Sequence, residues 1–497
     1  MATQNQKVTI RKLPTGVPGL DELLGGGFPE FSFNMLAGMP GSGKTTLAHQ
    51  MMFALANPER KALFFTVLGE PALKMLRYQQ QFSFFDHSKL GNSIRFVNLA
   101  SDLLDGKFDR VLARILEEVH DFSPSLVFVD SFRSVMQTGT ASEHSHAAAW
   151  ELQNFIQQLG MQMTSWQATT FLIGEYLSPE TESSPIFTVA DGIVWMTQYV
   201  HQEAMVRKLQ VVKMRGQAQR PGLHTFRINS SGVQVFPRVI LKSETSGIGK
   251  SFMPSGERLS MGNAVIDEML GGGIPVGYSM LVVGPTGSGK TILATEFLAE
   301  GVRVGEPGVI AAFEKGPNQL LSHKLHQLVS SGKVGVIDTR SLDLSMDEIL
   351  HDLVALIQEM KAKRVVIDSL SGFELALASV FRENFRESLY RLIAVLTGMG
   401  VTVLATAELE DRYTDLRFSS YGNAFLTDAV FMQRYVELAG QFRRVCSVVK
   451  VRGSDHSKDI RLYDIEGDAI VMRDRLAQYH GILSGQPQTI SIEFSAK

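Results

Sequence analysis

The sequence predicts an α/β protein of two tandem phosphate-loop domains, each a mainly parallel sheet with helices on both faces. Three observations carry this expectation. Asp21-Glu22-Leu23-Leu24-Gly25-Gly26-Gly27 recurs as Asp267-Glu268-Met269-Leu270-Gly271-Gly272-Gly273, an offset of 246 residues, and self-similarity at that distance marks a duplicated domain. Each half alternates short, uninterrupted apolar runs with helical segments, the pattern of parallel strands buried on both faces. Each half also carries one GxxxxGK[ST] loop, at Gly38 to Thr45 and at Gly284 to Thr291, between an apolar run and a helix.

Composition is compatible with this and excludes several classes. The chain has 497 residues, 48 Lys+Arg against 51 Asp+Glu, and a formal charge of −3, which gives no electrostatic footprint of a dedicated nucleic-acid binder. A single cysteine, Cys446, leaves no intramolecular disulfide and no cysteine-based zinc site, so a reducing cytoplasm is expected. No apolar stretch is long enough to span a bilayer, and residues 1–7 have no apolar signal region.

Taken in order, the first half offers apolar strands at Phe33 to Ala37, Ala62 to Val67, Leu126 to Val129 and Thr170 to Ile173. The second offers Ser279 to Val283, Val309 to Phe313, Arg364 to Ile367 and Val401 to Leu404. Between the halves, Lys242 to Gly256 is small, polar and without periodicity, which places the domain boundary at 245/246. The offset shrinks to 238 at Asp130/Asp368 and to 237 at Val211/Val448. The first domain therefore carries about eight extra residues before Asp130, an insertion expected in surface loops.

The glycine-rich loops predict phosphate binding. In the first, Gly38, Gly41, Ser42, Gly43, Lys44, Thr45 and Thr46 are the expected nucleotide contacts; in the second, Gly284, Gly287, Ser288, Gly289, Lys290, Thr291 and Ile292. Glycines let successive backbone N–H groups turn toward phosphate oxygens, the lysine reaches the β and γ phosphates, and the threonine hydroxyl ligates Mg²⁺. Asp130 and Asp368 each end an apolar strand and precede a serine, which makes them the metal-side carboxylates. Hydrolysis further needs a carboxylate to orient or deprotonate water. Glu314 follows the Val309 to Phe313 strand, and Glu70 is the corresponding candidate in the first half. Glu175 and Glu408 end further strands and are read as γ-phosphate sensors or capping acids. A fourth repeat, Val211-Val212-Lys213-Met214-Arg215-Gly216 with Val448-Val449-Lys450-Val451-Arg452-Gly453, puts Lys and Arg on one face of a strand.

These features together resemble the KaiC family of two-domain, double-ring ATPases within the larger RecA-like group, from Gly16 to about Pro487. The resemblance implies tandem RecA-like folds, ATP and Mg²⁺ as cofactors, and a homohexamer with nucleotide at subunit interfaces. In that arrangement Lys213, Arg215, Lys450 and Arg452 reach the neighbouring subunit's ATP. The family generally has two adjacent glutamates at the catalytic position, whereas this chain has Glu314-Lys315 and Gly69-Glu70. The second domain is thus the clearer ATPase, and a lysine beside the carboxylate predicts slow turnover. Where the resemblance implies an adjacent Ser-Thr pair that is autophosphorylated, this chain reads Ala424 and Phe425, so that cycle is not expected.

The resulting expectation is a slow Mg-dependent ATPase used as a nucleotide-state signalling module, with a protein partner of unknown identity and neither nucleic acid nor membrane. The alternatives are an autokinase using Ser419, Ser420 or Thr427, a non-hydrolysing ATP-dependent scaffold, and a recombinase-like DNA-dependent ATPase. Of the weaker signals, Glu143-His144-Ser145-His146 reads as exposed polar residues before a helix, and Arg443 and Arg444 as a ring-surface or exposed charge pair.

Overall fold

The computed structural model describes residues 10–67, 72–103, 108–132, 146–177, 185–201, 204–239, 256–313, 323–338, 344–409, 426–438, 440–482 and 488–489. The chain divides into two compact units, Met1–Val239 and Ile240–Lys497. Each is built on a nine-stranded sheet.

In the first unit the sheet runs, edge to edge, Gly232–Phe236, His224–Asn229, Ala204–Met214, Gly192–His201, Phe33–Gly38, Thr169–Glu175, Leu126–Asp130, Ala62–Thr66 and Ile94–Asn98. The six strands from Gly192–His201 onward are parallel, and the other three extend the sheet antiparallel. The second unit repeats this order with Ala469–Arg475, Arg461–Glu466, Gln441–Val451, Ala429–Leu438, Ser279–Gly284, Thr402–Glu408, Arg364–Asp368, Gly308–Ala312 and Val334–Asp338. All eight strands expected from apolar runs are present, with ends moved by only one to a few residues.

Alternate residues of each apolar strand enter different cores, as a period of two requires. Met35, Leu63, Phe65, Val127, Val129 and Leu172 pack with the helices Phe108–Phe122 and His146–Ser165 on one face. Leu36, Phe64, Phe128, Phe171 and Ile173 pack with the helix Lys44–Leu55 on the other. Cross-strand register brings Phe64, Phe128 and Phe171 into a stack with centroids 5.9 and 5.0 Å apart, each pair adding about 0.5–1.5 kcal/mol beyond its buried area.

The Gly-Gly-Gly repeat has a backbone cause. All six glycines have positive φ, and a Cβ on Gly27 or Gly273 would lie 2.2 or 2.5 Å from the carbonyl oxygen of Leu13 or Leu259. The preceding aspartates fasten the same corner, with Asp21 and Asp267 each accepting a backbone N–H, of Thr15 and Met261, at 2.7 Å. Part of the first domain's extra length lies between Ala62–Thr66 and Ile94–Asn98, where it does more than form a loop. Phe84 and Phe85 pack on Phe53 at 6.2 and 4.9 Å.

Candidate nucleotide sites

Both phosphate loops leave the C-terminal end of a central parallel strand, Phe33–Gly38 or Ser279–Gly284, and enter the helices Lys44–Leu55 and Lys290–Arg303. Ligands of open α/β sheets sit at this end. Gly43 and Gly289 begin the helices with φ of 97° and 98°, a left-handed conformation that glycine adopts without steric cost. The helix N-terminus then presents free N–H groups and the positive end of its dipole. Lys44 Nζ donates to the carbonyls of Gly38 and Met39 at 3.0 and 2.7 Å, and Lys290 Nζ to those of Gly284 and Pro285 at 2.8 and 2.9 Å. Burial lowers the Lys44 pKa from its ordinary value, while the carboxylates of Glu175 and Asp130 oppose that shift.

The strand Leu126–Asp130 carries Asp130 to the loop, where Thr45 Oγ1 donates to Asp130 Oδ2 at 2.6 Å. Thr291 Oγ1 donates to Asp368 Oδ2 at 2.8 Å in the second domain. A magnesium ion holds its oxygens octahedrally at about 2.0–2.1 Å, which spaces neighbouring ligands close to these distances, so the donor pair fits the ion. Burial pushes the Asp130 carboxyl up to about 6, against the Thr45 hydrogen bond and the Lys44 charge. A cavity of about 410 Å³ opens over the first loop, lined among others by Lys44, Thr45, Asp130 and Glu175. Its apolar wall includes Ile228 and Phe64.

The Lys-x-Arg pairs lie elsewhere. Lys213 faces Ile193 and Met214 faces Gly192, at the N-terminal end of the strand whose Met196 is beside Gly38. Four residues of strand, roughly 13 Å, separate the pair from its own phosphate loop. A bulge at Val212, repeated at Val449, precedes the pair in both domains. Lys213 Nζ donates to the carbonyls of Phe187 and Thr188 at 3.2 and 3.0 Å, and Arg215 to Asp191 Oδ1 at 3.1 Å and Thr188 O at 3.2 Å. Both side chains reach the Thr188 carbonyl, but Arg215 and Arg452 each stand one residue past the end of the strand, in a turn, and not on the strand face expected from the spacing. In the second domain Arg452 faces Asp428 at 3.5 Å. Burial, then the adjacent guanidinium, lowers the pKa of both Lys213 and Lys450.

Glu175 ends its strand beside Gly38, and Glu408 ends its strand beside Gly284, where it accepts a hydrogen bond from Thr286 Oγ1 at 2.6 Å. Ser288 Oγ donates to Gln433 Oε1 at 3.2 Å, and the buried Ser42 Oγ has no partner among the described residues. Arg444 contacts the Gly287 carbonyl and lies 5.5 Å over the Tyr435 ring. Glu70, Glu314, Lys315, residues 143–145, Ser419, Ser420, Ala424 and Phe425 lie outside the described residues, as does the expected boundary segment 242–255. Among the described residues no cluster of three or more His, Cys, Asp or Glu is arranged to hold a metal. No described helix is long and apolar enough to cross a membrane.

Sequence reasoning missed the acids that receive the arginines, Asp191 and Asp428. Their signal was available, because each lies 24 residues before its arginine in both domains.

The fold and the loops define a tandem RecA-like P-loop protein. A family model described as "ATPase: KaiC" matches residues 13–240 and 260–476, and the chain belongs to the KaiC family of ATPases. It is 27% identical to the circadian clock protein KaiC3 of Synechocystis sp., over 96% of this chain and 95% of that protein. It is 28% identical to the circadian clock oscillator protein KaiC 1 of the same organism, over 97% and 93%, and 26% identical to the KaiC of Thermostichus vulcanus, over 99% and 94%.

Proposed function

We propose that this chain is a cytoplasmic, slow, Mg²⁺-dependent ATPase whose subunits assemble into a hexameric double ring and whose nucleotide state is read by a protein partner. The observation that carries the reading is the duplicated Thr–Asp pair beside a GK[ST] loop, at 2.6 Å in one domain and 2.8 Å in the other. The loop N–H groups and the helix dipole bind phosphate, and Lys44 and Lys290 move from loop carbonyls to the β and γ phosphate oxygens. Mg²⁺, when bound with the nucleotide, neutralises charge on those oxygens.

Lys213 and Arg215, with Lys450 and Arg452, serve a neighbouring subunit's nucleotide. Their distance from their own loop supports this, and so does the depression of both lysine pKa values, which an incoming anion would reverse. They stabilise charge developing on the transferred phosphoryl group. Glu314 and Glu70 orient the attacking water, with Glu314 the stronger base candidate. Phe313, just before Glu314, donates its amide to the Asp368 carbonyl at 3.0 Å, which brings the chain to the metal side of the site. Ring assembly is thereby coupled to nucleotide occupancy, because a ligand held between subunits favours the assembled state.

The test is incubation of the full-length protein with Mg²⁺ and γ-labelled ATP. Free labelled phosphate is expected, lost in the Lys44→Ala/Lys290→Ala double variant and reduced by Glu314→Gln. Stable label on protein would replace this reading with an autokinase, and no release at all with an ATP-binding scaffold.

A further inference from the structure

We propose that Thr406 is a positioning residue for the divalent-metal side of the second domain, where the first domain has Ile173. The inference rests on the reading of Thr291 and Asp368 as the metal-facing pair. Thr406 Oγ1 donates to Asp368 Oδ1 at 2.5 Å, while Thr291 Oγ1 donates to Oδ2 of the same carboxylate at 2.8 Å. Each carboxylate oxygen thus carries a hydroxyl, and the plane of the group is fixed from two sides. Thr406 is 0% exposed and Asp368 7%, so water does not compete freely for the bond and the side chains have little room to turn.

Strand register creates this contact. Arg364–Asp368 and Thr402–Glu408 are parallel neighbours with Ile367 beside Ala405, which carries Thr406 to the level of Asp368. The first domain has the same pairing, with Gly38 beside Glu175 where the second has Gly284 beside Glu408. The residue corresponding to Thr406 is therefore Ile173, which is paired with Asp130 and offers no hydroxyl. Two residues beyond Thr406, on the same strand face, Glu408 accepts from Thr286 of the phosphate loop at 2.6 Å. Pro40 stands in the matching loop position of the first domain. One strand thus holds both Asp368 and the phosphate loop in the second domain, whereas the matching residues of the first, Ile173 and Pro40, carry no hydroxyl.

Groups that hydrogen-bond a metal's carboxylate ligand orient it and hold its charge in place, and their loss typically costs on the order of 10–100-fold in metal affinity. Thr406 gives the second domain that support.

The experiment is a Mn²⁺ titration followed by electron paramagnetic resonance on the full-length protein saturated with a non-hydrolysable ATP analogue. Lys44→Ala removes the first domain's nucleotide and leaves the second site to be read. In that background Thr406→Val is expected to weaken Mn²⁺ binding by on the order of tenfold, with analogue binding in the absence of divalent cation unchanged. Thr406→Ser is expected to restore the metal affinity. The reciprocal Ile173→Thr, in a Lys290→Ala background, supplies the missing hydroxyl and is expected to tighten Mn²⁺ in the first domain; it decides the matter should Thr406→Val not fold. Mn²⁺ affinity unchanged in a folded Thr406→Val protein would overturn the proposal alone. Absence of any nucleotide-dependent Mn²⁺ site in the Lys44→Ala protein would instead overturn the assignment of Thr291 and Asp368, and this proposal with it.

Discussion

Replacing Glu296 by glutamine is expected to stabilise the second domain at neutral pH and to lose that advantage in acid. Glu296 lies on the helix Lys290–Arg303, only 6% exposed, and its Oε1 accepts the Ile470 amide at 3.1 Å. Its Oε2 is buried with no partner among the described residues, and the Ile470 carbonyl accepts from Asn263 Nδ2 at 2.9 Å. The first domain shows the alternative at the matching residue. Gln50 Oε1 accepts the Val233 amide at 2.6 Å, and its Nε2 donates to the Val233 carbonyl at 3.1 Å. A buried polar atom without a partner costs about 1–3 kcal/mol; the Ile470 carbonyl has a second lone pair that the new Nε2 donor can take beside Asn263, so the neutral amide should return about 1–2 kcal/mol. For a domain of this size that is roughly 2–8 °C in melting temperature. The pH dependence has a definite sign. Burial raises the Glu296 pKa above its ordinary 4.5, against the Ile470 hydrogen bond and the Lys324 charge. The protonated form therefore suits the fold, and its stabilising contribution, full below pH 4.5, disappears as pH rises through the folded-state value. Glu296→Gln keeps a neutral group throughout, so its advantage is largest at neutral pH and narrows toward pH 4.5. Scanning calorimetry across pH 4.5–8 measures this, with hydrogen exchange at the Ile470 amide as the local readout. Equal stability at every pH, or a less stable glutamine variant at pH 7, would refute the reasoning.

Three further outcomes follow from the same structure. His49, 0% exposed and 4.4 Å from the Phe64 ring, with neither ring nitrogen partnered among the described residues, is held by burial at a pKa of about 3. Because the unfolded chain binds that proton near pH 6.5, the first domain should lose about 2 kcal/mol on going from pH 7 to pH 5; His49→Phe should flatten that part of the denaturation profile. In combination, Arg215→Ala and Arg452→Ala should lower phosphate release from ATP by on the order of 100-fold, the loss expected when a charge-stabilising group is removed from the transition state. Nucleotide binding measured on the same protein should persist, and undiminished turnover would return both arginines to a role confined to Asp191 and Asp428. Gly289→Ala should destabilise the second loop, since a Cβ there takes φ of 98° and meets Ile465 Cδ1 at 3.0 Å; loss of nucleotide binding ahead of any loss of helix content would be the sign.

The duplicated architecture was legible because its determinants are local. Uninterrupted apolar runs such as Leu126 to Val129 identify strands with both faces covered, and glycines forced to positive φ, such as Gly27 and Gly273, leave a readable mark at each repeat. Sheet order was legible only in outline. The sequence reading did not identify Ile94–Asn98 or the outer strands His224–Asn229 and Gly232–Phe236, since Arg95, Arg227 and Gln234 interrupt their apolar runs. The bulges at Val212 and Val449 were likewise invisible, because a one-residue irregularity changes register without changing composition.

The chemistry divides along the same line. Sequence by itself determined the two phosphate loops, the threonines and aspartates that face each other there, and the Lys-x-Arg repeat, because each is a residue type at a fixed spacing. Only the tertiary structure decided that Lys213 and Arg215 lie at the far end of the sheet from their own loop. It also decided that Thr406 reaches Asp368 where Ile173 cannot provide the same bond, and that Glu296, among the described residues, leaves an oxygen unpaired where Gln50 does not. Those relations depend on which strands become neighbours and at what register, and contacts between residues far apart in the chain are set by packing of the whole sheet rather than by any local pattern.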